Sequence, residues 1–336
     1  MSLLVARARG APRALGRAQG EAFGAGIQAA IAFYRELASS QGADFEAMGA
    51  RAHAYLDAAR PVLPQLVDEL EGLVEGADIS LEEALVLSCM EEVWPGDSCT
   101  TLVHGSFLVH AEQWYARHRD IGVVVADPDD GPAFVSPTCV GFLPAVGASA
   151  AGFAQGIDSL RARDDRIGIP RVFVARLALG APDITAAAAA ACRPGRAGGY
   201  AHVLATADHS LVVESSATQE ALIHGIGAHT NHYLSRSLEA VAAPASAGAR
   251  ARLERARELL EHSPPSSLED CARILSDHDG GRETICLHEE GIDAGGTVFG
   301  MACDLASGEM IVSDGPPCAA RWEVYAIRAS REHARS

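Results

Sequence analysis

Gly96-Asp97-Ser98-Cys99-Thr100-Thr101-Leu102 is the stretch on which the reading of this chain turns. A helix-like run, Leu81 to Met90, ends shortly before it, and a strand-like run, Leu102 to His110, starts at its end. A cysteine at a break between two elements, followed by two hydroxyl residues, suggests a peptide bond made to be cut. Scission of Ser98–Cys99 leaves Cys99 with a free α-amine beside its thiol. Nucleophile and general base then lie on one residue.

Upstream, residues 12 to 98 read as helical. Ala22–Leu37, Phe45–Ala59 and Leu63–Val74 carry apolar residues at three- and four-residue spacings. Leu81–Met90 has Ser80 as N-cap and Glu83 at the capping-box position. The N-terminus carries Arg7, Arg9, Arg13 and Arg17 before its first acid, Glu21. That superficially resembles a transit peptide, but a short strand, Leu3–Ala8, followed by a helix is the preferred reading. Downstream, Ile121–Ala126, Ala133–Pro137 and Gly152–Leu160 read as short strands between turns. Pro170–Leu179 and Asp183–Ala191 read as helices, and Ala201–Ala207 and Leu211–Glu214 as strands. Helices over Ala249–His262 and Leu268–Leu275 and a strand pair, Gly296–Asp304 with Glu309–Ser313, complete the chain. Without regular βαβ alternation, α+β layers are expected rather than a doubly wound sheet.

The 336 residues are 48% hydrophobic and 21% charged, the balance of a globular protein with a buried core. Every basic residue other than histidine is arginine, which excludes Schiff-base and P-loop lysine chemistry. A net charge of −17 argues against nucleic acid as a partner, because phosphate must be neutralised by cations. No apolar run is long enough to span a bilayer, so no membrane role is expected. The eight cysteines form no Cys-x-x-Cys pair, which reads as free thiols in a reducing cytoplasm.

Taken in order, the motifs resemble one family. Residues 96–102 are similar to the self-cleavage site of the acyl-coenzyme A:6-aminopenicillanic acid acyltransferase (isopenicillin N acyltransferase)-like family of N-terminal nucleophile hydrolases. Gly141-Phe142-Leu143-Pro144 with Gly152-Phe153-Ala154 resembles its glycine-rich segment around the oxyanion site, and Gly168-Ile169-Pro170-Arg171 its Gly-x-Pro-Arg helix start. His229-Thr230-Asn231-His232 resembles its His-Thr-Asn-His motif. Thr284-Ile285-Cys286 and Gly315-Pro316-Pro317-Cys318 resemble its C-terminal strand motifs. The resemblance implies a four-layer αββα sandwich made as a precursor. Residues 1–98 would be a helical N-terminal segment (α chain) and 99–336 the catalytic core (β chain), forming an α/β heterodimer after self-cleavage.

It also implies roles. Cys99 is the nucleophile, Asn231 (the chain's only asparagine) the oxyanion-hole side chain, and a backbone N–H near Ala151 the second donor. Thr101 would hydrogen-bond the cleavage-site carbonyl or the new amine. Trp114 and His229 are expected beside the substrate, and Arg171 to anchor a carboxylate or the core acid Glu214, with a structural salt bridge preferred. His229 and His232, with His224 and Glu220 nearby, are read as packing groups beside Asn231, and no metal is expected. Ser149 lacks the second glycine of a nucleophile elbow, which excludes a serine hydrolase there.

The chain departs from the family around Trp114. Relatives place an aspartate there to orient the nucleophile's amine, whereas this chain has Glu112-Gln113-Trp114-Tyr115. Gln113 can orient an amine by hydrogen bonding. Glu112 could supply a carboxylate, but adjacent strand residues point to opposite faces. The expected activity is acyl transfer through a Cys99 thioester, from an acyl amide or an acyl thioester (coenzyme A or carrier protein) to a small amine, in specialised metabolism. The alternatives are a hydrolase of N-acyl or β-alanyl amides, and an uncleaved, non-catalytic homologue that binds a small molecule.

Overall fold

A computed structural model describes residues 3–94, 99–281 and 283–327. The chain opens with strand β1 (Leu4–Gly10), then α1 (Pro12–Ser40), α2 (Phe45–Ala59), α3 (Pro64–Ala77), α4 (Leu81–Ser88) and α5 (Met90–Val93). Asp44 caps α2, and Ser80 with Glu83 closes a reciprocal capping box on α4. Six strands follow: β2 (Cys99–His104), β3 (Phe107–Tyr115), β4 (Ile121–Pro128), β5 (Phe134–Cys139), β6 (Gly147–Ser149) and β7 (Phe153–Leu160). Helices α6 (Arg171–Leu179) and α7 (Ile184–Ala191) lead to β8 (Gly199–Ala205), β9 (Ser210–Ser215), β10 (Glu220–His224) and β11 (Ala228–His229). Last come α8 (Ala247–His262), α9 (Leu268–Leu275), β12 (Gly295–Asp304), β13 (Glu309–Ser313) and β14 (Trp322–Ala326).

Among the described residues the strands form two sheets. One has the order β1-β4-β5-β6-β7-β8-β9-β10, the other β11-β2-β3-β12-β13-β14. Val123, Val135, Ala154 and Val203 of the first meet Val103, Leu108, Met301 and Val312 of the second in a shared core. The outer face of the first sheet packs on α1–α7, and that of the second on α8 and α9. The result is four layers, αββα.

Helices α1 and α3 run parallel and nearly touch. A Cβ at Gly20 would lie 2.4 Å from the Leu73 carbonyl oxygen, and one at Gly76 would lie 2.2 Å from that of Arg17. Only glycine fits, so these positions set the helix spacing that lets the bundle sit flat on the sheet. No described helix is long and apolar enough to cross a membrane.

One expectation needs correction. The run Leu102–His110 is not one strand. It is parts of two, folded at a two-residue turn where Gly105 has φ +55°, a left-handed value that favours glycine. The strand expected at Leu3–Ala8 is present as β1, which pairs in parallel with β4 over seven residues and forms an edge of the larger sheet. The two segments expected as separate chains therefore share a sheet.

Candidate active site

Register across the β2–β3 hairpin builds the site. Cys99 pairs with Glu112 and Thr101 with His110, so all four side chains face the gap between the sheets. Cys99 is buried, and its Sγ lies 3.6 Å from Glu112 Oε1. Glu112 Oε2 lies 3.0 Å from His110 Nε2. A carboxylate only accepts, so His110 donates from Nε2. Thr101 Oγ1 lies between His110 Nδ1, at 2.9 Å, and Asp158 Oδ1, at 3.2 Å.

The chain of contacts continues deeper. β11 pairs His229 with Thr101, and opposite them Asp158, Ala201 and Glu214 form one row across β7, β8 and β9. Small Ala201 leaves room for the His229 ring between the two acids. His229 Nε2 is 2.9 Å from Glu214 Oε1, and Nδ1 is 3.5 Å from Asp158 Oδ2. Burial disfavours the imidazolium, but the neighbouring Asp158 and Glu214 carboxylates prevail and raise its pKa to about 9. Glu214 also accepts from the Leu234 and Ser235 N–H groups, at 2.5 and 2.9 Å. Gly156 makes this close sheet approach possible, since a Cβ there would fall 2.6 Å from Thr101 Cγ2.

Asn231 reaches Cys99 from the far side. Its Oδ1 accepts the Cys99 backbone N–H at 2.8 Å and the Arg252 Nη2 donor at 2.8 Å, while its Nδ2 donates to the Ser159 carbonyl at 3.2 Å. Arginine only donates, so the atom between Arg252 and Cys99 must be the oxygen. Asn231 thus meets Cys99 as an acceptor on its backbone nitrogen rather than as the expected oxyanion donor.

Cys99 lines a cavity of about 70 Å³. Leu87, Met90, Phe142, Val146, Val172 and Phe299 supply apolar wall, with Glu91, Glu112 and Tyr200 as polar groups. Burial pushes the Cys99 thiol well above its ordinary pKa, and the nearby Glu112 and Asp158 charges add to this, while the Gln113 backbone N–H works against it. The thiol form is therefore favoured. Burial also raises Glu91 to about 7, although Arg171 and the Tyr200 hydroxyl favour its charged form.

Several expected site residues lie elsewhere. The Gln113 side chain faces the α8–α9 side of its sheet, where Nε2 donates to the Thr284 and Ile285 carbonyls at 3.1 and 2.8 Å. Period-two alternation turns it away from Cys99 and brings Glu112 in. Ala151 packs against the α7 cluster at the opposite end of β7 from Ser159, and its N–H donates to Ser149 Oγ at 3.2 Å. It is no oxyanion donor to Cys99. Arg171 is a buried structural hub on Asp165 (2.6 Å), Glu92 (3.8 Å) and the Glu91 carbonyl (3.1 Å), and not on Glu214. It thereby holds α5, the last described turn before Cys99. Trp114 lines the cavity and donates to Tyr34 at 2.5 Å. Ser98 lies outside the described residues.

Sequence reading did not single out His110, Asp158, Ser159, Tyr200 or Arg252. The available signal was a polar residue at an inward position of an apolar strand, as at His110 and Asp158.

The family model for acyl-coenzyme A:6-aminopenicillanic acid acyl-transferase matches residues 102–315, well over half the chain. The chain belongs to this family. Its αββα layers are those of the N-terminal nucleophile hydrolase fold, and the family it belongs to is named for acyl transfer. Among solved structures, penicillin V acylase from Agrobacterium tumefaciens is 11% identical with a TM-score of 0.45, over 68% of this chain and 86% of that one. A variant of conjugated bile acid hydrolase from Clostridium perfringens is 10% identical with a TM-score of 0.42, over 70% of this chain and 100% of that one. No curated protein sequence matches.

Proposed function

We propose that this chain is a self-processing enzyme whose nucleophile is Cys99, passing an acyl group through a Cys99 thioester to or from a small amine. The observation that carries this reading is the placement of Cys99, with its thiol on a carboxylate and cavity and its own nitrogen held by Asn231 Oδ1. Self-cleavage begins when the Cys99 thiol attacks the Ser98 carbonyl. Glu112 is the nearest group able to take the thiol proton at that stage, because no α-amine yet exists. The C–N bond breaks, the nitrogen gains a proton, and water hydrolyses the resulting thioester. In turnover, the freed α-amine has an ordinary pKa of about 7.7–8.0 and accepts the thiol proton itself. Asn231 Oδ1, already on that nitrogen, would hold its lone pair toward the sulfur.

The cavity also indicates the kind of substrate. Its apolar walls and small volume suit a small apolar acyl group. Among its described lining residues none is basic, and Glu91 and Glu112 are acidic. This supports a partner that carries an amine and lacks a free carboxylate, since a buried carboxylate there would find no cation. Whether water or an amine ends the cycle depends on how well the closed site excludes water.

Intact-mass measurement of freshly purified protein tests the reading. Two fragments meeting at Ser98/Cys99 are expected from the wild type, and one uncut species from Cys99→Ala. Glu112→Gln should slow scission by about 10²-fold or more, the usual scale for loss of a general base. A wild-type chain that stays whole on prolonged incubation, and turns over neither acyl amides nor acyl thioesters, would sink the proposal.

A further inference from the structure

Away from the nucleophile, on the α8–α9 side of the smaller sheet, four soft or borderline donors converge. His278 comes from the loop after α9, Cys286 and His288 from the segment leading into β12, and Cys318 from the connection between β13 and β14. One donor atom from each lies within 4.8 Å of every other. Cys286 Sγ is 3.5 Å from His288 Nε2, and that nitrogen is 3.2 Å from Cys318 Sγ. The His278 and His288 rings stack with centroids 5.4 Å apart. Around a tetrahedral zinc, bonds of about 2.3 Å to sulfur and about 2.0–2.1 Å to nitrogen put neighbouring S and N atoms about 3.5 Å apart. The spacing found here is close to that.

We propose that His278, Cys286, His288 and Cys318 form a closed Cys₂His₂ site for a structural zinc ion. Two thiolates and two imidazoles match the preference of zinc over harder oxygen-seeking cations. Binding exchanges the two thiol protons for one Zn²⁺, so the protons leave to solvent and no redox change occurs. Four protein donors leave no open position, which fits a structural role rather than a hydrolytic one.

The surroundings are ordered as a metal loop requires. The Cys286 N–H donates to the Asp277 carbonyl at 2.9 Å, as does Thr284 Oγ1 at 2.6 Å. Arg255 holds the Asp277 carboxylate at 2.6 Å. The same segment presents the Thr284 and Ile285 carbonyls to Gln113, the neighbour of Glu112 on β3. A zinc ion here would clamp that segment to the β13–β14 connection and brace the back of the strand that carries Glu112. A disulfide between Cys286 and Cys318 is the competing chemistry, and it gives no part to the two histidines.

The test uses the full chain, purified untagged under reducing conditions without chelator from zinc-supplemented cells. Elemental analysis should give one zinc per chain, lost in Cys318→Ser and His278→Gln and kept in the exposed control His224→Gln. Replacement of zinc by Co²⁺ should produce the intense visible bands of tetrahedral S₂N₂ coordination with a thiolate charge-transfer band. Zinc-free wild-type protein that gives no such cobalt spectrum overturns the proposal, and so does a Cys286–Cys318 disulfide found by peptide mass mapping. If the variants fail to fold, the wild-type stoichiometry and cobalt spectrum decide alone. None of these readouts depends on self-cleavage or acyl transfer.

Discussion

Glu214→Gln is the sharpest probe of the buried charge row behind Cys99. His229 is completely buried between Asp158 and Glu214, and its pKa of about 9 stands above the ordinary 6.5. That gap corresponds to about 3 kcal/mol of folding free energy. Because the folded value is raised, the contribution is complete below pH 6.5 and disappears as pH rises through 9. Glu214→Gln removes one of the two charges that hold the proton, so His229 should revert toward its neutral form and most of this term should vanish. The variant also disturbs the bonds from the Leu234 and Ser235 N–H groups, a loss of about 1 kcal/mol that does not vary with pH. In a Cys99→Ala background, which keeps the chain whole, urea unfolding between pH 6 and pH 10 measures both parts. The wild-type advantage should be largest, about 3–4 kcal/mol, near pH 6 and shrink to about 1 kcal/mol by pH 10. A difference that stays constant, or grows with pH, would show that His229 is not held protonated by this pair.

Gly156→Ala should place a methyl 2.6 Å from Thr101 Cγ2 and 3.2 Å from His110 Nδ1. It should open the Thr101–Asp158 bond, cost about 1–3 kcal/mol in chemical denaturation, and lower kcat more than it raises KM. Gly20→Val should force α1 from α3, because its Cβ would sit 2.4 Å from the Leu73 carbonyl oxygen. At least about 2 kcal/mol should be lost in thermal or urea unfolding, while any protein that still folds keeps its substrate preference.

Much of this architecture is legible in the sequence where one local rule dominates. Phe45–Ala59 and Leu268–Leu275 are helices with the bounds their periodicity predicts, and Ser80 with Glu83 closes its capping box. The site is less legible because it depends on register. Nothing local says that Cys99 pairs with Glu112, and one step of slippage would put Gln113 inside instead. The hairpin turn at Gly105-Ser106 has a glycine signal, but the apolar residues on both sides run together into an apparent single strand. Strand β11 has only two residues and exists because β2 offers it an edge. The His278, Cys286, His288 and Cys318 cluster has spacings of eight, two and thirty residues, which match no compact metal motif and converge only through the sheet.

Strand β1 has a consequence for the proposed scission. Its seven-residue pairing with β4, and the glycine-lined contact of α1 with α3, do not depend on the bond before Cys99. Cutting that bond would leave the fold standing but change the order of its unfolding reaction. A whole chain refolds by itself at any dilution, whereas two pieces must find each other, so recovery becomes second order and concentration-dependent. Maturation would then be a one-way ratchet. If the proposed scission occurs, the precursor would carry the instructions for assembly, and the cut enzyme would survive by unfolding slowly rather than by refolding well.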